Sequence, residues 1–153
     1  MSRLWLLLHL FFAFSFVGSL VVADWNGRAA RLTQDWAQRS LLWDIVRRSS
    51  LVAGMGSLVL LGVVGNVAAL SAHIPMASPW LIGVNTLWIV GVLIMGLASL
   101  PAARRLTALA ATAAGGGSAP EYDQVLRVWR VSNVFSSLFY LAMLALMVYR
   151  PGG

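Results

Sequence analysis

The sequence contains no cysteine and no lysine, and it sets only five acidic side chains against eleven arginines in 153 residues. Without a thiol it can form no disulfide, no thiolate nucleophile and no cysteine-ligated zinc or iron–sulfur centre. The acids are too few and too scattered for acid–base work. No Ser/His/Asp arrangement with a buried carboxylate, no pair of acids inside an apolar stretch and no HxxxH or ExxH spacing occurs. No catalytic residue and no metal site is therefore assigned, and the reading leans away from an enzyme. Charged residues make up only 10% of the chain and hydrophobic ones 59%, which excludes an ordinary soluble domain. The formal charge of +6 does not point to nucleic acid, because the arginines flank apolar stretches and build no aromatic-studded basic stripe.

Long apolar runs dominate what is present. Leu4 to Ala23, Ser50 to Ala72, Trp80 to Leu100 and Val131 to Tyr149 carry no charged side chain. Each supplies about 20 residues, the length a helix needs to cross ~30 Å of hydrocarbon. The expected fold is all-α: one integral membrane domain over residues 1–153, a four-transmembrane-helix bundle embedded in a lipid bilayer. The first run also resembles a signal peptide, with small residues at Val21 and Ala23, but it is longer than the ~7 to 15 residues of a signal core. It reads as a retained span.

Arginine placement gives an orientation. Arg28, Arg31, Arg39, Arg47 and Arg48 lie between the first two spans and Arg104, Arg105, Arg127 and Arg130 between the last two, leaving only Arg3 and Arg150 elsewhere. The positive-inside rule then places both long connections in the cytosol and both termini outside. Trp5 and Trp80 fall at the outer interface, and Trp25, Trp43 and Trp129 at the inner one, as anchors among headgroups. Between Arg28 and Arg48 the apolar residues Leu32, Trp36, Trp43 and Val46 recur at helical spacing opposite a polar face. This cytoplasmic amphipathic segment either lies on the membrane surface or extends a neighbouring span. Pro101 is expected to stop the third span, Pro151 the fourth, and residues 113–120, rich in glycine, to form a flexible linker.

Glycines inside the spans, among them Gly54, Gly62, Gly65 and Gly91, mark faces where helices pack closely in lipid. Polar side chains there are more informative, since each costs free energy in hydrocarbon unless it finds a partner. At a helical rise of about 1.5 Å per residue, His9 lies about 8 Å inward of Leu4, Asn66 about 10 Å inward of His73, and Asn85 about 8 Å inward of Trp80. These three share one depth, and His73 stands on the face of Asn66 nearer the mouth. The layout predicts a polar pocket opening outward. His9 is either an axial ligand to haem or hydrogen-bonded to another helix, and on residue type alone the second is simpler. Met143 and Met147 share a face of the fourth span, where packing explains them better than copper ligation.

Leu8-His9 with Gly18 nine residues beyond the histidine, Pro79-Trp80-Leu81, Pro101 with Arg104-Arg105-Leu106, Trp129, and Met147-Val148-Tyr149-Arg150-Pro151 together carry a resemblance. The chain resembles, nearly end to end, a bacterial family of predicted four-helix integral membrane proteins of unknown function. More distantly it is similar in layout to the copper-resistance D-type membrane proteins and to the four-helix bacterial protoporphyrinogen oxidase. In that oxidase a first-span histidine is associated with haem b, a role the resemblance would place on His9. The oxidase's third-helix His and Lys have no counterpart here, where Gly83, Val84 and Asn85 stand instead, so its reaction is not carried over. The expected function is binding of haem or another small ligand at the outer polar layer, in a bacterial inner membrane. The alternatives are an accessory or assembly subunit docked on a partner or a second copy through its glycine faces, and a membrane oxidoreductase related to the oxidase.

Overall fold

The computed structural model describes residues 3–149, so Pro151 and the Arg150-Pro151 ending lie outside the described residues. Four helices follow one another: α1 (Arg3–Leu32), α2 (Trp36–Ser71), α3 (Pro79–Ala114) and α4 (Tyr122–Tyr149). Each is long and apolar enough to cross a membrane. All four run well past the apolar stretches, and every overrun lies at the arginine-bearing end. The amphipathic stretch is accordingly no separate surface helix, because Arg28 belongs to α1 and Trp36 to Arg48 belong to α2. The helix break between them is set by Asp35, whose carboxylate accepts from the Ala37 N–H at 2.9 Å.

Helical extensions at this end bury a core of their own. Ala23 and Ala30 of α1, Trp43 and Val46 of α2, Ala103, Leu106 and Ala110 of α3, and Tyr122, Val125 and Trp129 of α4 form one cluster. Alanine lets the backbones approach, and three aromatic rings fill the space between them. Trp43, wholly buried, donates from Nε1 to the Tyr122 hydroxyl at 2.7 Å and meets Trp129 edge to face at 4.8 Å. Trp43 and Trp129 were expected among headgroups and lie instead in this cluster. An apolar stripe fits lipid and a neighbouring helix equally well, and here the neighbour takes it. Trp25, 75% exposed, keeps an outward position.

A second difference concerns Pro101, which stands inside α3 rather than at its end. The turn before it, Met95–Ser99, is a π-helical turn. Proline lacks an N–H and its ring crowds the carbonyl four residues back, and the wider turn relieves both conflicts. A matching π-turn, Ser50–Met55, interrupts α2. The two turns interlock, since a Cβ on Gly54 would lie 3.2 Å from the Met95 Cε and one on Gly96 would lie 3.3 Å from the Met55 Cε.

α1 packs along α2 and α3 along α4, and the two hairpins meet chiefly through the arginine-bearing halves of α2 and α3. Towards the 72–78 turn, contacts between α2 and α3 become sparse. The bundle is thus a wedge, closed at one end and loosened at the other.

Candidate functional site: a cavity walled by all four helices

At the loosened end a cavity of about 210 Å³ lies between the hairpins. Its polar floor is built by α2 and α3. Asn66 and Asn85 exchange side-chain hydrogen bonds, the Asn66 amide donating to Asn85 Oδ1 at 2.9 Å and the Asn85 amide to Asn66 Oδ1 at 3.0 Å. The Asn66 amide also donates to the Gly62 carbonyl at 2.9 Å. Carboxamides are costly in an apolar bundle unless satisfied, and this reciprocal pair is both the cheapest solution and a cross-tie between the hairpins.

Two glycines make the site sterically feasible. A Cβ on Gly62 would fall within the Trp88 indole, whose Nε1 donates to the Leu58 carbonyl at 2.8 Å. A Cβ on Gly65 would stand 3.0 Å from His9 Nδ1 and 2.9 Å from its Cε1. One bare stripe of α2 therefore seats an indole from α3 and an imidazole from α1. Gly54 and Gly91 are likewise used inside the chain, against Met95 and Leu58. The faces of Gly54, Gly62, Gly65 and Gly91, which suggested docking of another subunit, meet this chain's own side chains, whereas Gly18 and Gly56 face open space.

His9 Nδ1 is buried against this stripe and has no hydrogen-bond partner. The ring lines the cavity and interacts with the Leu61 backbone. Trp80 and Trp88 supply aromatic walls and Met143 and Met147 close the space from α4. Among the described residues no charged side chain lines it. His9, Asn66 and Asn85 thus come together around one space. His73 does not join them. It is exposed in the turn after α2, with φ of 55°, where it ends the helix. Sequence reasoning overlooked Trp88 as a wall, although its spacing of three from Asn85 puts both on one face of α3.

Haem does not fit this site. The volume falls short of the roughly 300 to 1,000 Å³ of drug-sized and cofactor-sized pockets, and among the described residues no arginine reaches the lining to meet propionates. Among the described residues no group of three or more His, Cys, Asp or Glu side chains could hold a metal ion.

Four apolar helices, each long enough to span a bilayer, enclosing a mostly apolar cavity with a sealed amide pair, define a polytopic integral membrane protein. Residues 3–151 match the family described as predicted integral membrane protein (DUF2269), and the chain belongs to that family. No curated protein and no solved structure matches the chain.

Proposed function

We propose that the protein is a membrane-embedded binding protein for a small, mostly apolar molecule bearing one hydrogen-bonding group. The supporting observation is the four-walled cavity in which the amides satisfy each other and the His9 ring is the one imidazole among the described lining residues. Such a site grips by shape and aromatic contact and selects by one polar bond. Its size favours a single ring or a fused pair over a macrocycle. By the arginine distribution, the cavity end faces outward across a bacterial cytoplasmic membrane, with both chain ends outside. Accessibility of tags fused at Met1 and Gly153 in intact cells tests this orientation.

Binding itself is tested by titrating detergent-purified protein with 1-naphthol and with naphthalene while following tryptophan fluorescence. Saturable quenching by both is expected. His9→Leu should weaken only the naphthol, by about two- to tenfold, the worth of one ordinary hydrogen bond. Ala68→Leu, which fills the space beside α2, should weaken both. Unsaturable quenching that neither substitution alters is simple partitioning into the micelle and defeats the reading.

A further inference from the structure

Two open surface depressions of about 430 Å³ each lie along the seam between α3 and α4. They share Ala98 and Val128, so they form one groove running from Phe135 towards Glu121, about 20 Å of α4 by the helical rise. The chemistry changes along it. From Phe135 to Val128 the walls are Ile94, Ala98, Val131 and Phe135, and the hydroxyl of Ser132 is already spent on the Trp129 carbonyl. At the other end stand Arg105, Glu121 and Gln124, with Arg127 at the level of the shared residues.

Charge complementarity identifies the occupant. Arg105 and Glu121 face each other at 3.5 Å and cancel, while Arg127 has no ion pair among the described residues. The groove therefore carries one uncompensated positive charge, at the depth where the apolar run of α4 gives way to polar sequence. We infer that this groove binds a monoanionic phospholipid with a hydroxylated headgroup. One acyl chain lies along Val131 and Phe135, the phosphate meets Arg127, and headgroup hydroxyls donate to the Glu121 carboxylate and Gln124 carbonyl. Proline and the π-turn create the recess, because Pro101 and Ala98 present little side-chain bulk where α3 widens.

The test is native mass spectrometry of delipidated full-length protein in mild detergent, titrated with phosphatidylglycerol or phosphatidylethanolamine of identical chains. Phosphatidylglycerol should be retained preferentially. Arg127→Gln should lower its retention about fivefold, the equivalent of the ~1 kcal/mol of one arginine near an anionic surface, and lower that of phosphatidylethanolamine, whose net charge is zero, by clearly less. Arg104→Gln removes the same charge from a residue that lines neither depression, and should change nothing. Ala98→Phe blocks the groove with all charges kept and should also abolish the preference. Equal loss in Arg104→Gln and Arg127→Gln, or full retention in Ala98→Phe, would mean diffuse attraction and overturn the assignment. Displacement by excess inorganic phosphate would overturn it too, by showing a site for the free anion. Arg127 is exposed, so its variant folds even if Ala98→Phe does not, and the contrast with Arg104 then decides.

Discussion

Tyr122 and Trp43 show how a single polar bond organises the arginine-bearing end. The two residues are far apart in sequence, on α4 and α2, and the indole donates to a phenol in a cluster otherwise closed to water. The Arg39 guanidinium covers the same phenol ring at 5.3 Å and the Trp36 ring at 4.1 Å. Cation–π stacking of this kind keeps the arginine beside an apolar core while its Nη2 donates to the Thr33 carbonyl. Tyr122→Phe keeps the ring and its packing but removes the acceptor. The Trp43 donor is then stranded in a site that water does not reach, and the expected loss of stability is about 1–3 kcal/mol. Thermal unfolding in detergent measures it. The double variant Tyr122→Phe with Trp43→Phe should lose less than the sum of the single changes, since it leaves no orphaned donor. Strict additivity would show that the bond is incidental.

Helix α2 illustrates how an element is ended without proline or glycine. After Ser71 the chain turns left-handed at His73, the His73 N–H donates to the Leu70 carbonyl at 3.0 Å, and the Ile74 N–H reaches back to Ala69 at 3.0 Å. Ile74 then packs on Ala69 and Trp80, completing a Schellman stop. The same bond pattern ends α3, where Gly116 takes the left-handed position and the Gly117 N–H bonds to the Thr112 carbonyl at 3.0 Å. An L-residue pays about 1–2 kcal/mol for that conformation. His73→Gly should therefore melt no lower than wild type, whereas β-branched His73→Val should lose about 1–2 kcal/mol. Equal melting of the glycine and valine variants would refute this role for His73.

That histidine also marks the limit of what pattern reading delivers. His73 and His9 look alike as residue types, and only backbone conformation separates the one that turns a helix from the one that lines a cavity. The four spans and the shared depth of His9, Asn66 and Asn85 were legible, because hydrophobic length and helical rise are local quantities. Helix ends were not legible at the arginine-bearing end. There the stripe of Trp36, Trp43 and Val46 is compatible with lipid or with another helix, and the choice is made by alanines on α1 and α3 far away in sequence. Pro101 was misjudged for a related reason, since the π-turn that tolerates it depends on Gly54 and Met55 of α2.

Taken whole, the molecule is two hairpins joined firmly at one end and lightly at the other. At the arginine-bearing end they share an interdigitated aromatic and alanine core. At the other, the asparagine pair and a few side chains span a cavity of about 210 Å³. Atoms facing a void lose their dispersion partners, and a seam that lacks them resists separation weakly. The hairpins should then rock about the closed end on the microsecond-to-millisecond scale typical of collective motion, which would also give a ligand its way in. Because the natural chain has no cysteine, spin labels can be placed without background. Leu41→Cys with Ala108→Cys reports on the closed end, and Leu7→Cys with Val148→Cys on the cavity end, all four being exposed positions. Pulsed dipolar spectroscopy should give a narrow distance distribution for the first pair and a distribution at least twice as broad for the second. In Asn85→Ala, which cuts the cross-tie and strands the Asn66 amide, the second should broaden further while the first stays unchanged. Two equally narrow distributions would describe a uniformly rigid bundle, and entry to the cavity would then have to proceed between α1 and α4 without any separation of the hairpins.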